Sequence, residues 1–260
     1  MVAPGRRRFL QGACAAALVP LHAQAAPALR LLRPGELHVG TYFVNPPFEF
    51  IERGQRVGFE VDLTEALARR LRLRPVFEDT RWEVILGEQE RNRFDCIIGG
   101  ITITPNREKV LAWSVPYMVT TLSLVVNAAR MPHASSLADL RGATVGVQAA
   151  TTDYDAAVAL QREGRIAAVK VYPFARIGDA MTDLAAGHIG AVMKVYPVAA
   201  YLAARTPGLR IAAQVPDDPQ PLGIGVSRDN PGLLEALNGA ITALKADGTY
   251  TALTRKWHLD

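Results

Sequence analysis

The feature that most limits what this chain can fold into is an alternation. Short apolar strands take turns with amphipathic helices, and midway along the chain the alternation begins again. "ELHVGTYF" (36–43) reads as a strand, and "EVDLTEALARRLRL" (60–73) as a helix with Leu63, Leu67 and Leu71 on one face. "RPVFEDT" (74–80), "DCIIGGITI" (95–103) and "SLVVNAA" (123–129) supply further strands, with a helix expected over 83–93 despite Gly87. The second round runs through a short capped helix (135–142), a strand (143–149), a helix with an acid-rich start (151–164) and a strand (168–174). It closes with a helix stopped at Gly187 (176–187), a strand (189–195) and a helix (196–205). Asn230 then caps a helix with Pro231 at its first position, Leu234, Leu237, Ile241 and Leu244 along its seam and Gly248 as its stop. A short helix over 249–260 ends the chain. Strands separated by helices predict an α/β fold with parallel sheets. No sequence repeat accompanies the restart, yet the order predicts two similar units.

The first residues stand outside this pattern. "GRRRFLQG" (5–12) leads into "ACAAALVPLHAQA", and Ala23-Gln24-Ala25 offers a small-x-small cleavage site, so residues 1–25 read as a secretory signal. Arg6-Arg7 with Phe9-Leu10 resembles the twin-arginine export pattern; an ordinary Sec signal with extra arginines is the alternative. Cys14 is a poor lipoprotein cysteine, because Gln11 stands where an aliphatic residue is wanted. Removing 1–25 takes away three arginines and no acid, leaving 26 basic and 25 acidic residues. That near-neutral balance gives no reason to expect nucleic acid as a partner. The 235 residues that remain hold one cysteine, Cys96, so no intrachain disulfide can form and the core must carry stability, in one large or two modest domains. No later run approaches the ~20 apolar residues of a membrane span, so a soluble mature product is expected.

Motifs of catalysis are missing: there is no G-x-S-x-G, H-E-x-x-H, P-loop or CxxC. His38, His133, His188 and His258 are scattered without ligand spacing, and Cys96 sits in an apolar strand, which favours an inert core thiol. No metal or cofactor is expected.

One stretch asks for a ligand. In "GGITITPNREK" (99–109), Ile101 and Ile103 alternate with Thr102 and Thr104, Thr104 can cap a helix, and Pro105 suits its first position. Arg107 then falls in the helix's first turn, where a cation is mildly unfavourable. An anion held jointly by Arg107 and free backbone N–H groups is one physical reason to place it there. A surface arginine paired with a nearby acid is the other.

"VGFEVDLTEALARRL", "FDCIIGGITITPNREKVLAWSVPY", "ATVGVQAATT" and "LKADGTYTALTRKW" occur in that order and cover nearly the whole mature chain. Together they resemble the periplasmic amino-acid-type solute-binding proteins of ABC importers. The resemblance implies two α/β lobes joined by two crossing strands, closing over a ligand in the cleft. It implies crossings near Val126-Asn127 and Leu222-Gly223, hence one lobe of 31–126 plus 223–260 and another of 127–222. It puts Arg107 on the ligand carboxylate, with Gly99, Gly100, Ile101 and Thr102 beside it and Gln148, Thr151 and Thr152 on the facing lobe. Trp82 matches a stacking aromatic, with a core tryptophan as the alternative. Asn45 falls where many relatives carry a second aromatic. Tyr42 falls where binders of cationic amino acids carry an aspartate, which argues against a lysine- or arginine-like ligand.

The departure lies in "GHIGAVMKVYP" (187–197). Relatives carry an aspartate for the ligand's α-ammonium where this chain has Val195, and an earlier aspartate where it has Gly190. Burying an ammonium against valine costs several kcal/mol, so a ligand without a free α-amino group is expected. Strand alternation from 195 turns the adjacent Lys194 to solvent; a one-residue shift aims it into the cleft.

These readings imply a monomeric periplasmic binding protein that hands a small carboxylate to an inner-membrane ABC permease. An enzyme is the alternative, since some relatives are dehydratases of cyclohexadienyl acids that use a carboxylic acid as proton donor; Glu49 and Asp153 are the acids available. A third is a free ligand-presenting partner of a sensor, as the chain ends at Asp260 without a span or kinase.

Overall fold

The computed structural model describes Met1 and residues 29–259; the secretory signal expected over 1–25 lies, Met1 apart, outside the described residues. The chain runs through β1 (Glu36–Thr41), β2 (Val44–Asn45), β3 (Glu49–Glu52), β4 (Gln55–Val57), α1 (Phe59–Leu71), β5 (Arg74–Asp79), α2 (Trp82–Glu90), β6 (Cys96–Ile97), α3 (Pro105–Glu108), β7 (Ala112–Trp113) and β8 (Met118–Asn127). It continues through β9 (Thr144–Gln148), α4 (Thr152–Arg162), β10 (Ala168–Tyr172), α5 (Ile177–Ala186), β11 (Ala191–Val195), α6 (Tyr196–Ala203), β12 (Leu209–Leu222), β13 (Gly225–Val226), α7 (Pro231–Ala246) and α8 (Thr249–Lys256).

Two five-stranded sheets result, in the orders β5-β1-β6-β13-β7 and β10-β9-β11-β8-β12, with β2-β3-β4 as a small meander. β1 pairs parallel with β5 and β6, and β9 parallel with β10 and β11. Leu63 and Leu67 on α1 and Leu237 and Ile241 on α7 are buried against the first sheet's Leu37 and Val39, while Val145, Val147, Leu160 and Val198 fill the second lobe. Residue for residue, burying such a side chain is worth roughly 1.5–3 kcal/mol.

The sheets do not part at Val126-Asn127. Leu122–Val126 pair antiparallel with Val195–Ala191 of β11, inside the second sheet. The chain leaves the first lobe near Tyr117, whose N–H donates to Leu222 O at 3.0 Å. All of β8 therefore belongs to the second sheet. Beside it, β12 ends at Leu222, and Gly223 N donates back to Ile101 O at 3.1 Å. Among the described residues no helix is long and apolar enough to cross a membrane.

Candidate functional site

The first lobe's contribution starts at the end of β6. A Cβ on Gly99 would come within 2.6 Å of the Tyr42 ring, and the Tyr42 hydroxyl donates to Gly99 O. Gly100 has φ +60°, a region open to glycine, and its N–H donates to both Glu60 oxygens at 2.8 and 3.0 Å. Thr104 caps α3 as expected, accepting from Arg107 N at 3.3 Å, but the helix is a single turn. Arg107 Nη1 donates to Thr102 O at 2.7 Å and its guanidinium lies 5.0 Å from the Trp82 ring centroid. Among the described residues the guanidinium forms no ion pair. Desolvation lowers its pKa, opposed by Tyr42, Asp155 and Asp153.

The second lobe's contribution comes from three places. Thr151 caps α4, accepting from Tyr154 N at 3.3 Å while its own hydroxyl donates to Gln148 O at 2.7 Å. Thr152 and the buried Asp153 open that helix. Lys194 and Val195 end β11, and Phe174 follows β10. Lys194 does not face solvent. Both it and Val195 are buried and line the cleft, because Val195 is the strand's last residue and the turn into α6 breaks the alternation. Lys194 Nζ lies 3.4 Å from Asp153 Oδ1, a buried pair.

These groups close in on a narrow cleft with only about 20 Å³ of free space, lined by Tyr42, Asn45, Trp82, Gly99, Gly100, Thr102, Arg107, Thr151, Thr152, Asp153, Phe174, Lys194 and Val195. Two expected residues are not in its wall. The side chain of Ile101 is fully buried in the first lobe's core, and Gln148 is turned away, donating to Phe174 O. Sequence reasoning missed Phe174 as a lining residue. Its place just past the carboxyl end of a parallel strand, where ligands of α/β sheets bind, was the available signal. The lobes meet across the site: Trp82 Nε1 donates to Ala149 O at 3.1 Å, and Trp82 stacks on Phe174 at 5.1 Å and 24°.

Behind Asn45, Glu49 and Glu60 are both buried. Neither Glu49 oxygen finds a donor among the described groups, while Glu60 takes those of Gly100 and Tyr117. Desolvation, then the Glu60 charge and a hydrogen bond to Glu60, raise the Glu49 pKa well above 4.5. Burial beside a second carboxyl group thus favours the neutral form of Glu49.

A larger groove, about 770 Å³, lies on the hinge side between Phe50, Tyr201 and Trp257. Its cations are engaged, Lys256 with Asp62 at 2.6 Å and Arg205 over the Tyr201 ring at 3.4 Å. Convergent polar groups and a guanidinium without an ion pair among the described residues make the smaller cleft the candidate site.

Two lobes closing over such a cleft define a class, the hinged ligand-binding proteins. Residues 37–260 match the model of the bacterial extracellular solute-binding proteins, family 3, and the chain belongs to that family. It is 30% identical over 227 residues to the ABC transporter arginine-binding protein 1 of Escherichia coli K12, covering 85% of this chain and 90% of that one. An ancestral arginine-binding protein bound to arginine superposes with a TM-score of 0.77 at 32% identity, over 86% of this chain and 98% of that one. An ancestral amino acid-binding protein that is a precursor of cyclohexadienyl dehydratase gives 0.75 at 32%, over 86% and 95%.

Proposed function

We propose that this chain is an exported, periplasmic solute-binding protein that carries a small carboxylate lacking an α-ammonium to an ABC permease. The observation that carries the reading is the pairing of charges in the cleft. Arg107 forms no ion pair among the described residues, Asp153 is taken by Lys194, and the Val195 side chain offers an ammonium nothing. An amino-acid ligand would bring an ammonium into a wall whose one lining carboxylate already holds a lysine. A plain carboxylate needs only Arg107; the Thr102 and Thr151 hydroxyls in the same wall already donate to Gln220 Oε1 and Gln148 O. The experiment is a thermal-shift and calorimetric panel of the twenty amino acids against 2-oxo, 2-hydroxy and dicarboxylic acids, since a ligand of the native state raises the melting temperature. Stabilisation by a free amino acid and by none of the other acids would overturn the reading.

Asp153, a carboxyl group lining the cleft, together with the likeness to a dehydratase precursor, favours a second reading: a dehydratase of cyclohexadienyl acids. Incubation with prephenate or arogenate, followed for aromatic product, decides it; no product removes it.

A further inference from the structure

We propose that Phe174 is a built-in plug that restricts the cleft to small monocarboxylic acids with little or no side chain of their own. The inference rests on the carboxylate reading above and adds what the rest of the ligand looks like.

Phe174 comes from the second lobe, yet it is buried in a cluster whose other members, Tyr42, Trp82 and Ile101 among them, belong to the first. Its ring stacks on Trp82 and meets the Tyr42 ring edge-on at 4.8 Å and 70°. Lys194 Nζ sits 5.7 Å from the Phe174 ring centroid. The Trp82 ring that lies beside Arg107 is thus already covered by an aromatic group of the protein. A ligand gripped at Arg107 and extending a side chain along Trp82 would have to displace that ring, with its aromatic contacts and its burial.

The backbone gives the ring little freedom. Gln148 Nε2 donates to Phe174 O, and Pro173 starts the single turn over 174–176 that Arg176 N closes on Pro173 O at 2.9 Å. Beyond the ring lies a separate cavity reached by Asp79, Arg81 and Glu83; it shares only Tyr42, Trp82 and Phe174 with the cleft, so this aromatic trio is the partition between them. Charge sets the rest. With Lys194 and Asp153 paired, Arg107 is the lining charge left for the ligand, which suits one carboxylate rather than two.

The test measures binding of pyruvate, lactate and 3-phenylpyruvate to the wild-type protein, Phe174→Ala and Phe174→Leu by calorimetry. Wild type should bind pyruvate or lactate and show no measurable heat with 3-phenylpyruvate. Phe174→Ala should bind 3-phenylpyruvate at least about tenfold tighter than wild type, the ligand's ring taking the vacated slot. Phe174→Leu, which keeps an apolar contact, should fall between them and serves if the alanine variant does not fold. Equal wild-type affinity for pyruvate and 3-phenylpyruvate would overturn the plug while leaving the carboxylate reading intact. Binding of free amino acids and of none of these acids would overturn both.

Discussion

The two faces of the cleft are built in different ways. On the first lobe, one continuous stretch from Gly99 to Arg107 supplies the glycines, the threonine and the guanidinium, and short-range bonds such as Arg107 Nη1 to Thr102 O fix them. On the second lobe, Asp153, Phe174 and Lys194 come from three separate elements and meet only because β9, β10 and β11 lie side by side in one sheet. The first face is the proposed grip for a carboxylate, and it can be read in a motif. The second face is proposed to decide what else the ligand carries, since its lysine and aspartate are paired with each other.

The largest effect should therefore appear on the second face, and in stability. Lys194→Met leaves Asp153 buried with a Gln148 N–H at 3.3 Å and no cation, a loss of about 3–5 kcal/mol by analogy with broken buried pairs. Urea unfolding of Lys194→Met, of Asp153→Asn and of the double variant gives the coupling directly. A double variant no more stable than Lys194→Met would mean that the pair does not act as a unit.

On the first face the loss should be in binding instead. Arg107→Ala should fold, since the guanidinium packs at the cleft wall, and should lose about 2–5 kcal/mol of ligand affinity. Calorimetry with the best acid from the panel checks it; unchanged affinity would take Arg107 out of the site.

That contrast also explains what the sequence could and could not tell. The alternating strands and helices, the Thr104 cap and the α7 seam are local, and they are legible from spacing alone. β12 was not, because "VPDDPQPL" looks like a loop; its prolines are tolerated because β12 is the edge strand of its sheet. The inward Lys194 and the crossing at Tyr117 were also hidden. Both depend on where a strand ends in three dimensions rather than on which residues compose it. Phe174 was hidden most completely, since its partners Tyr42 and Trp82 lie about a hundred residues away in sequence.

A third change would make the second face resemble a receptor for an ammonium. Val195→Asp adds a carboxylate to a wall that already holds the Lys194–Asp153 pair. It should improve amino-acid binding relative to wild type and weaken the native acid by about tenfold, 1.4 kcal/mol, through repulsion across a dry cleft. Thermal shifts of both proteins against both ligand classes measure it. No exchange of preference would show that position 195 does not set the ligand's charge.

The smallest expected effect lies behind the first face, in the Glu49–Glu60 pair. Burial raises the Glu49 pKa well above 4.5, so from that value upward the folded state keeps a proton that the unfolded chain releases. Stability must then fall as pH rises above 4.5 and through the raised folded value, and be insensitive to this group below 4.5. Glu49→Gln keeps a neutral side chain of the same size beside Glu60 and removes the titration. It should stay close to wild type near pH 5 and exceed it in unfolding free energy and melting temperature near pH 8. Because Glu60 also orders Gly100 N, the same variant should leave the carboxylate grip unchanged. A wild-type stability that rises with pH relative to Glu49→Gln would place the proton elsewhere. A loss of acid binding in Glu49→Gln would show that the pair shapes the ligand face and not only the core behind it.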